Sequence, residues 1–168
     1  SRLDICRVLG EVHDRRIVHR DVKLENLIVV DEAAGTSMRL IDFGIAKSLD
    51  APPLEPPESW VGSPRYMAPE QLHGDAELHQ RADIWSVGIV AFELLTGEHP
   101  FVADTLRELR TVILEREAVS LSEFRADVPQ ALTAIVGRCL AKRREDRFGS
   151  VEELGQALLS VKRRALAA

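Results

Sequence analysis

The chain has 168 residues, of which 45% are hydrophobic and 29% are charged, and its formal net charge is −5 at pH 7. This length and composition predict one globular domain with a substantial core. The net negative charge excludes a surface that is basic overall, so we expect no nucleic-acid partner.

Few features of the sequence report on the cell compartment. The two cysteines, Cys6 and Cys139, have no metal-type spacing, which favours buried thiols in a reducing compartment. The first residues show no signal-peptide pattern, and the longest apolar run, 84–96, contains Glu93 and is too short to span a bilayer. We therefore expect a cytoplasmic location, and the sequence leaves open whether a parent protein is tethered to a membrane.

The predicted elements of the first half are a helix, a short strand and a hairpin. Apolar residues recur at helical spacing near the N-terminus and predict an amphipathic helix: Ile5, Val8, Leu9 and Val12. Residues 17–18 form a candidate strand, and apolar runs at 27–30 and 38–41, separated by Gly35, predict a small hairpin. Residues 48–62 are predicted to be loop, and the proline-rich stretch at 50–58 within them is predicted to be exposed.

Helices dominate the predicted second half. An apolar run at 82–96 predicts a buried helix that ends at Gly97. Asp104 is a candidate N-cap for the next helix, and Pro129 fits the first turn of another. A Ser-x-x-Glu pattern that begins at Ser150 predicts a capping box for a last helix. No linker divides the chain, so we expect one mostly helical domain.

Polar residues cluster in two segments on either side of the predicted hairpin. Residues 19–26 have the sequence HRDVKLEN, and residues 42–44 have the sequence DFG. Because a hairpin returns its two ends to neighbouring positions, Asn26 and Asp42 can converge on one metal ion, and their oxygens suit Mg²⁺. Lys23 lies two residues after Asp21 on an extended loop, so it can reach a phosphate on the same side as a point charge.

Each of these residues alone has a common structural explanation. A single aspartate such as Asp21 is usually a helix or turn cap, and an aspartate shortly before glycine, such as Asp42, often marks an ordinary turn. A lone lysine such as Lys23 is most often solvated, and an asparagine such as Asn26 is more often a turn former. Their joint order favours chemistry on a phosphate.

The joint pattern resembles the catalytic and metal-binding loops of eukaryotic-type serine/threonine protein kinases. The resemblance continues through GSPRYMAPE at 62–70, DIWSVG at 83–88 and EDRF at 145–148. It implies an α+β, mostly α-helical fold, the large C-terminal lobe of a kinase, in which a small β-hairpin carries the active-site loops. No phosphate-covering glycine loop precedes these motifs in the sequence, so we expect the N-terminal β lobe to be absent from this chain.

The resemblance also implies a role for each site residue. Asp21 faces the substrate hydroxyl, Lys23 contacts the transferring phosphate, and Asn26 and Asp42 bind Mg²⁺ or Mn²⁺. Ile28 lies under the adenine of ATP. The other implied site residues are structural or regulatory: His19, Arg20, Phe43, Gly44, Ser63, Glu70, Asp83 and Arg147.

Several of these structural roles are implied in more detail. His19 and Phe43 align the two active-site loops. Glu70 and Arg147 form a partly buried ion pair, and Asp83 stands at the start of the long central helix. Two further implied roles concern Ser63, near the substrate, and Arg20, in regulation. Ser63 replaces the more usual threonine, and its hydroxyl can bond toward the catalytic loop. Arg20 suggests control by phosphorylation of an activation segment at about 42–70.

Residues 1–161 therefore correspond to a partial kinase domain, and residues 162–168 to a basic C-terminal tail. The implied activity is transfer of the γ-phosphate of ATP to serine or threonine hydroxyls of protein substrates. We expect the isolated chain to be inactive without its partner, the missing N-terminal lobe, because ATP normally lies between two lobes. The alternative is a non-catalytic, pseudokinase-like binding or scaffold module, and the intact catalytic loop favours the enzyme.

Overall fold

The computed structural model describes residues 4–32, 35–42, 46–50, 63–74 and 79–167. Within these ranges the chain is mostly helical, as predicted, with two small antiparallel sheets. The helices are α1 (Asp4–Asp14), α2 (Pro69–His73), α3 (Arg81–Thr96), α4 (Leu106–Glu115), α5 (Leu121–Phe124), α6 (Gln130–Cys139) and α7 (Val151–Ala167). The strands are β1 (Ile17–Val18), β2 (Leu27–Glu32), β3 (Gly35–Leu40) and β4 (Lys47–Ser48).

The first helix has the predicted buried face. Leu9 is fully buried, and α1 packs against α7 and β3. After α1 ends, Arg16 adopts a left-handed conformation (φ 57°), and the chain enters β1. β1 pairs with β4, so Ser48 belongs to a strand although the sequence predicted a loop from this residue onward. Residues 51–62, which make up most of that predicted loop, lie outside the described residues.

The predicted hairpin is confirmed as the pair β2 and β3. Leu27 faces Leu40 across the ladder, and the register continues to the pair Glu32 and Gly35. Just outside the ladder, the Ile41 backbone N–H donates to the Asn26 carbonyl at 2.9 Å. The hairpin therefore brings the end of the 19–26 segment beside the residue that precedes Asp42.

The core is organised around α3, the predicted buried helix. Trp85 and Phe92 are fully buried, and α3 packs against α5 and α6. Gly88 permits the close approach of α6, because a Cβ at this position would lie 2.6 Å from the Cβ of Cys139. Gly97 ends the helix in the left-handed conformation (φ 76°), as the sequence predicted.

The structure corrects the predicted start of two helices. Thr105, not Asp104, caps α4, because Thr105 has the extended backbone of an N-cap and its side chain accepts from the Glu108 N–H at 3.2 Å. Pro129 is the N-cap of α6 and not part of its first turn. Such shifts of one residue are typical of boundaries inferred from pattern alone.

The last helix begins directly after Ser150, as predicted, but only one of the two bonds of the predicted capping box forms. The Ser150 hydroxyl accepts from the Glu153 N–H at 3.3 Å, whereas the Glu153 carboxylate accepts from the N–H of Gly149 at 2.7 Å and not from that of Ser150. α7 then continues to Ala167, so most of the range 162–168 is helix. Among the residues that the structure describes, no helix combines the length and the apolar character needed to cross a membrane.

Candidate active site

The centre of the candidate site is the Asp21 carboxylate, which three side chains contact. Its Oδ2 accepts hydrogen bonds from Lys23 Nζ at 2.6 Å and from Asn26 Nδ2 at 3.1 Å. Its Oδ1 accepts from the Ser63 hydroxyl at 3.1 Å, and Lys23 Nζ also lies 3.1 Å from that hydroxyl. Four polar residues from two distant parts of the sequence thus form one connected cluster.

The protonation state of Asp21 follows from these contacts. Burial raises the pKa of the Asp21 carboxyl, but the hydrogen bond and positive charge of Lys23, with hydrogen bonds from Asn26 and Ser63, outweigh it and lower the pKa overall. Asp21 is therefore ionised at neutral pH. It can accept a hydrogen bond from an incoming hydroxyl, but in the resting state it is a weak base.

Asn26 and Asp42 form the second part of the site. The two bonds that Asn26 donates, to the Asp21 carbonyl at 2.8 Å and to the Asp21 carboxylate, use only its amide nitrogen and leave the amide oxygen available to a cation. Asp42 is exposed, and its backbone lies in the left-handed region (φ 63°), which is unusual for a residue other than glycine. One amide oxygen and one carboxylate at the same end of a hairpin fit the ligand preference of Mg²⁺.

No group of three or more His, Cys, Asp or Glu side chains within the described ranges could hold a metal ion. A cation bound by Asn26 and Asp42 would therefore take its remaining ligands from water or from a bound phosphate, as Mg²⁺ commonly does.

A buried aspartate on α3 supports the start of the 19–26 segment. Asp83 is fully buried and accepts from His13 Nε2 at 2.8 Å, from the His19 N–H at 2.9 Å and from the Arg20 N–H at 2.8 Å. Arg20 has a positive φ of 69°, so the two backbone bonds hold a conformation that the chain would otherwise avoid. Asp83 thereby connects the core helix to the residues immediately before Asp21.

His19 is a fully buried histidine two residues before Asp21. Burial lowers the pKa of the His19 imidazole, and the negative charges of Asp83, Asp21 and Asp42 offset only part of the effect. The ring is therefore neutral at physiological pH.

A second charged cluster links α2 to the segment before α7. Arg147, which is 1% exposed, donates to Glu70 Oε1 at 2.7 Å and to Oε2 at 2.8 Å, the pair that the sequence led us to expect. It also donates to the carbonyl oxygens of Ala141, Arg81 and Lys142. Because α2 directly follows residues 63–68, this cluster fixes the far end of the segment that brings Ser63 to Asp21.

The remaining predicted residues occupy different surroundings. Ile28 is 44% exposed on β2, next to Val29, which is 62% exposed, so both apolar side chains remain accessible at the hairpin. Phe43 and Gly44 lie outside the described residues. The implied roles of Ile28, Phe43, Gly44 and Arg20 stay predictions.

Two supporting residues were not identified as such from the sequence. The hydroxyl of Ser86, on α3, donates to the Tyr66 carbonyl at 2.8 Å. His13 bonds to Asp83, 70 residues away. A polar residue inside the apolar run of α3 is a signal that could have pointed to Ser86, and the position of His13 four residues after Leu9 places it on the buried face of α1 without indicating its partner.

Comparison with known proteins now gives the class of the chain. The model of the protein kinase domain matches residues 2–159, and the chain belongs to this family. It is 35% identical to a probable serine/threonine-protein kinase of Clostridium acetobutylicum over 94% of the chain and 23% of the relative. It is 31% identical to the serine/threonine-protein kinase PknB of Mycobacterium leprae over 94% of the chain and 25% of the relative.

A third relative is also named a serine/threonine-protein kinase. The chain is 37% identical to the serine/threonine-protein kinase Pkn1 of Myxococcus xanthus, over 92% of the chain and 22% of the relative. The chain thus spans about a quarter of the length of these curated relatives.

Proposed function

We propose that this chain is the large, C-terminal lobe of a protein serine/threonine kinase, which transfers the γ-phosphate of ATP to serine or threonine hydroxyls of proteins. The observation that carries the proposal is the connected cluster of Asp21, Lys23, Asn26 and Ser63, with Asp42 at the adjacent end of the hairpin. The names of the relatives support the reaction class.

Asp21 orients the substrate hydroxyl. An ionised carboxylate held by three side chains can accept the hydroxyl hydrogen and direct the oxygen lone pair toward the phosphorus atom. The lowered pKa of Asp21 is compatible with this role, because phosphoryl transfer depends mainly on positioning and charge stabilisation. The hydroxyl proton passes to Asp21 as the new oxygen–phosphorus bond forms, while the bond between the γ-phosphorus and the bridging oxygen of ATP breaks and ADP leaves.

Asn26 and Asp42 are the residues that would hold Mg²⁺ or Mn²⁺, and Ile28 offers an apolar surface for adenine. When bound, ATP would supply the phosphoryl group and the metal ion would neutralise part of its charge. Lys23 contributes a further positive charge, because its Nζ lies between Asp21 and Ser63 at the point where the hydroxyl would enter.

Activity requires a second wall for the nucleotide site. The 168-residue sequence contains no glycine-rich loop of the type that covers ATP phosphates in kinases. The Asn26 and Asp42 side chains and the exposed Ile28 side chain of β2 supply one side of a nucleotide site. We therefore expect phosphate transfer in the complete gene product that carries this sequence, and none from the 168-residue chain by itself.

The experiment is phosphate transfer from γ-labelled ATP to a general protein substrate by the complete gene product. Asp21→Asn removes the ionised acceptor and should lower kcat by about 10²–10⁴-fold, the usual contribution of a positioned acid–base group. Asp127→Asn is the matched control, because Asp127 pairs with Arg125 on the surface and its replacement should leave activity unchanged.

The same pair of variants separates the two candidate functions. Equal activity in the two variants would contradict the catalytic role of Asp21. Absence of transfer in the wild-type protein, with its fold intact by circular dichroism, would favour the non-catalytic binding module.

A further inference from the structure

His99 lies in the loop after α3, far in sequence from the candidate site, yet it contacts the segment that carries Ser63. We define residues 63–67 as the acceptor-side loop, because its first residue bonds to Asp21 and Lys23. His99 is 5% exposed, and its Nε2 lies 2.9 Å from the carbonyl oxygen of Arg65 in this loop.

The contacts of the other ring nitrogen of His99, Nδ1, indicate which of the two nitrogens carries the proton. Nδ1 lies 3.1 Å from the Phe101 backbone nitrogen and 2.7 Å from the Phe101 carbonyl oxygen. With the proton on Nε2, the ring donates to Arg65 and accepts from the Phe101 N–H, and the Nδ1 lone pair faces the Phe101 carbonyl oxygen. With the proton on Nδ1, it donates only to Phe101, and the Nε2 lone pair faces the Arg65 carbonyl. The first arrangement makes two hydrogen bonds and the second makes one, so the count favours the proton on Nε2.

The charge state of the ring is consistent with that arrangement. Burial lowers the pKa of the His99 imidazole, and its backbone bonds and the nearby Glu93 carboxylate offset only part of the effect. A neutral ring has a single N–H, and the Arg65 carbonyl is where that N–H forms its bond.

The acceptor-side loop has two other attachments to the same part of the core. The Tyr66 hydroxyl donates to Glu93 at 2.8 Å, and the Ser86 hydroxyl donates to the Tyr66 carbonyl at 2.8 Å. Both hold Tyr66. The bond from His99 holds Arg65, which is one residue closer to Ser63, and the His99 ring also packs edge-on against the Tyr66 ring with centroids 6.2 Å apart.

We propose that His99 is a positioning residue, whose Nε2–H bond to the Arg65 carbonyl holds the acceptor-side loop in place for a serine- or threonine-containing peptide. The inference rests on the proposed kinase function. A peptide that presents its hydroxyl to Asp21 must pass beside Ser63, and the 3-10 turn at Pro64–Tyr66 follows directly. Fixing Arg65 therefore fixes the surface on which the peptide lies, without contact between His99 and the reacting atoms.

The test compares two amide substitutions in the complete gene product. The side-chain nitrogen of glutamine can take the place of Nε2 and donate to Arg65, whereas the shorter asparagine reaches only the place of Nδ1. His99→Asn should raise KM for a serine-containing model peptide roughly fivefold, the effect of one lost buried hydrogen bond, with KM for ATP unchanged. His99→Gln should stay near wild type. His73→Asn, at an exposed histidine, is the control.

A second measurement does not depend on activity. Tyr66 N–H donates to the Ser63 carbonyl and Met67 N–H to the Pro64 carbonyl, so hydrogen–deuterium exchange of the peptide covering 63–67 reports on the loop. Exchange should be faster in His99→Asn than in wild type and unchanged in His99→Gln.

The outcomes distinguish this inference from the proposed function. Equal effects of the two substitutions on KM and on exchange would overturn the role of the Nε2 bond. A rise in KM for ATP as large as that for peptide would overturn it as well, because it would indicate a general loss of structure. If the wild-type protein transfers no phosphate, the kinase proposal fails, and the exchange data alone still decide whether His99 holds the loop.

Discussion

Every N–H of the Arg147 guanidinium donates to a protein acceptor. The polar groups around Asp21 instead bond mainly to one another, and part of their surface stays accessible. Arg147 makes five hydrogen bonds, two to Glu70 and three to backbone carbonyls. Its side chain is completely inaccessible. The side chains of Lys23 and Asp21 keep 20% and 11% of their surface accessible, and Asp42, at the adjacent end of the hairpin, is exposed.

This difference separates a structural cluster from a functional one in physical terms. A buried charge is tolerated only when each of its polar atoms is satisfied, and a saturated cluster has no capacity left to bind a ligand. The Asp21 cluster keeps a carboxylate and an ammonium group partly accessible, where a hydroxyl or a phosphate can replace existing partners, and the Asn26 amide oxygen makes no bond within the cluster. We infer that stability depends mainly on the first cluster and chemistry on the second.

Asp83 is buried like the Arg147 cluster, but it supports the segment that carries Asp21. It is as buried as Arg147 and fully engaged, but two of its three bonds go to the backbone of His19 and Arg20. It therefore uses the rigidity of α3 to hold the segment that ends at Asn26. The side chains of the candidate site can stay partly accessible because buried, fully hydrogen-bonded residues behind them hold the backbone in place.

The largest expected effect comes from breaking the saturated cluster. Arg147→Ala leaves the Glu70 carboxylate buried without its partner and should lower the free energy of unfolding by about 3–5 kcal/mol. Arg147→Lys keeps the charge but offers three N–H groups in place of five, so its loss should be smaller but clear. The measurement is urea unfolding of the purified chain.

Arg163→Ala is the matched control, because Arg163 lies exposed on α7. If Arg147→Ala unfolds at the same urea concentration as Arg163→Ala, the Glu70–Arg147 cluster does not stabilise the fold. The contrast between the two clusters would then lose its basis.

The sequence predicted those parts of this organisation that depend on local pattern. The hairpin at Leu27–Leu40 and the buried helix at Arg81–Thr96 could be predicted because apolar periodicity and Gly97 act over a few residues. The meeting of Asn26 with the residues around Asp42 followed from the hairpin. Asp21 and Lys23 were found by their order, which a short motif preserves.

The parts that could not be predicted depend on contacts over long separations or on single bonds. The pairing of β1 with β4 joins two-residue strands that carry almost no pattern of their own. The bond between His13 and Asp83 spans 70 residues, and that between His99 and the Arg65 carbonyl spans 34. Thr105 replaced Asp104 as a cap because both residue types are good N-caps and only the backbone geometry decides.

A smaller effect should appear on acidification, from two of the buried histidines that support the site, His19 and His99. Burial lowers the pKa of His19 and of His99 below the ordinary value of 6.5, so the unfolded chain binds more protons than the folded chain as pH falls below that value. Stability should be complete above pH 6.5 and fall by up to about 1.4 kcal/mol per pH unit for each histidine. The measurement is urea unfolding at several pH values between 7 and 5.

The choice of pH range and a variant make this test specific. The pKa of Asp21 is also lowered, but from an ordinary value of 3.8, so its stabilising contribution is lost only in more acidic solution. His99→Gln should reduce the slope between pH 7 and 5 by the contribution of one histidine. A stability that does not change over this range would contradict the neutral state of both rings.

The smallest expected effect concerns Ser63, where the two segments of the candidate site meet. Ser63→Ala removes the hydroxyl that donates to Asp21 Oδ1 and accepts from Lys23 Nζ, while Lys23 and Asn26 still hold the carboxylate. We expect kcat/KM for a serine-containing peptide to fall roughly fivefold, the effect of one net hydrogen bond of about 1 kcal/mol. The free energy of unfolding should change by less than about 1 kcal/mol, because this cluster is partly accessible.

Ser63→Thr is the matched variant, because it adds only a methyl group and keeps the hydroxyl. It should retain the kcat/KM of the wild-type protein, whereas a loss equal to that of Ser63→Ala would show that space at this position matters and the hydrogen bond does not. A large loss of stability in Ser63→Ala would place Ser63 with Arg147 among the residues that maintain the fold. Because Ser63 joins the acceptor-side loop to Asp21, this pair of variants tests directly whether its hydroxyl contributes to the stability of the fold or to the reaction.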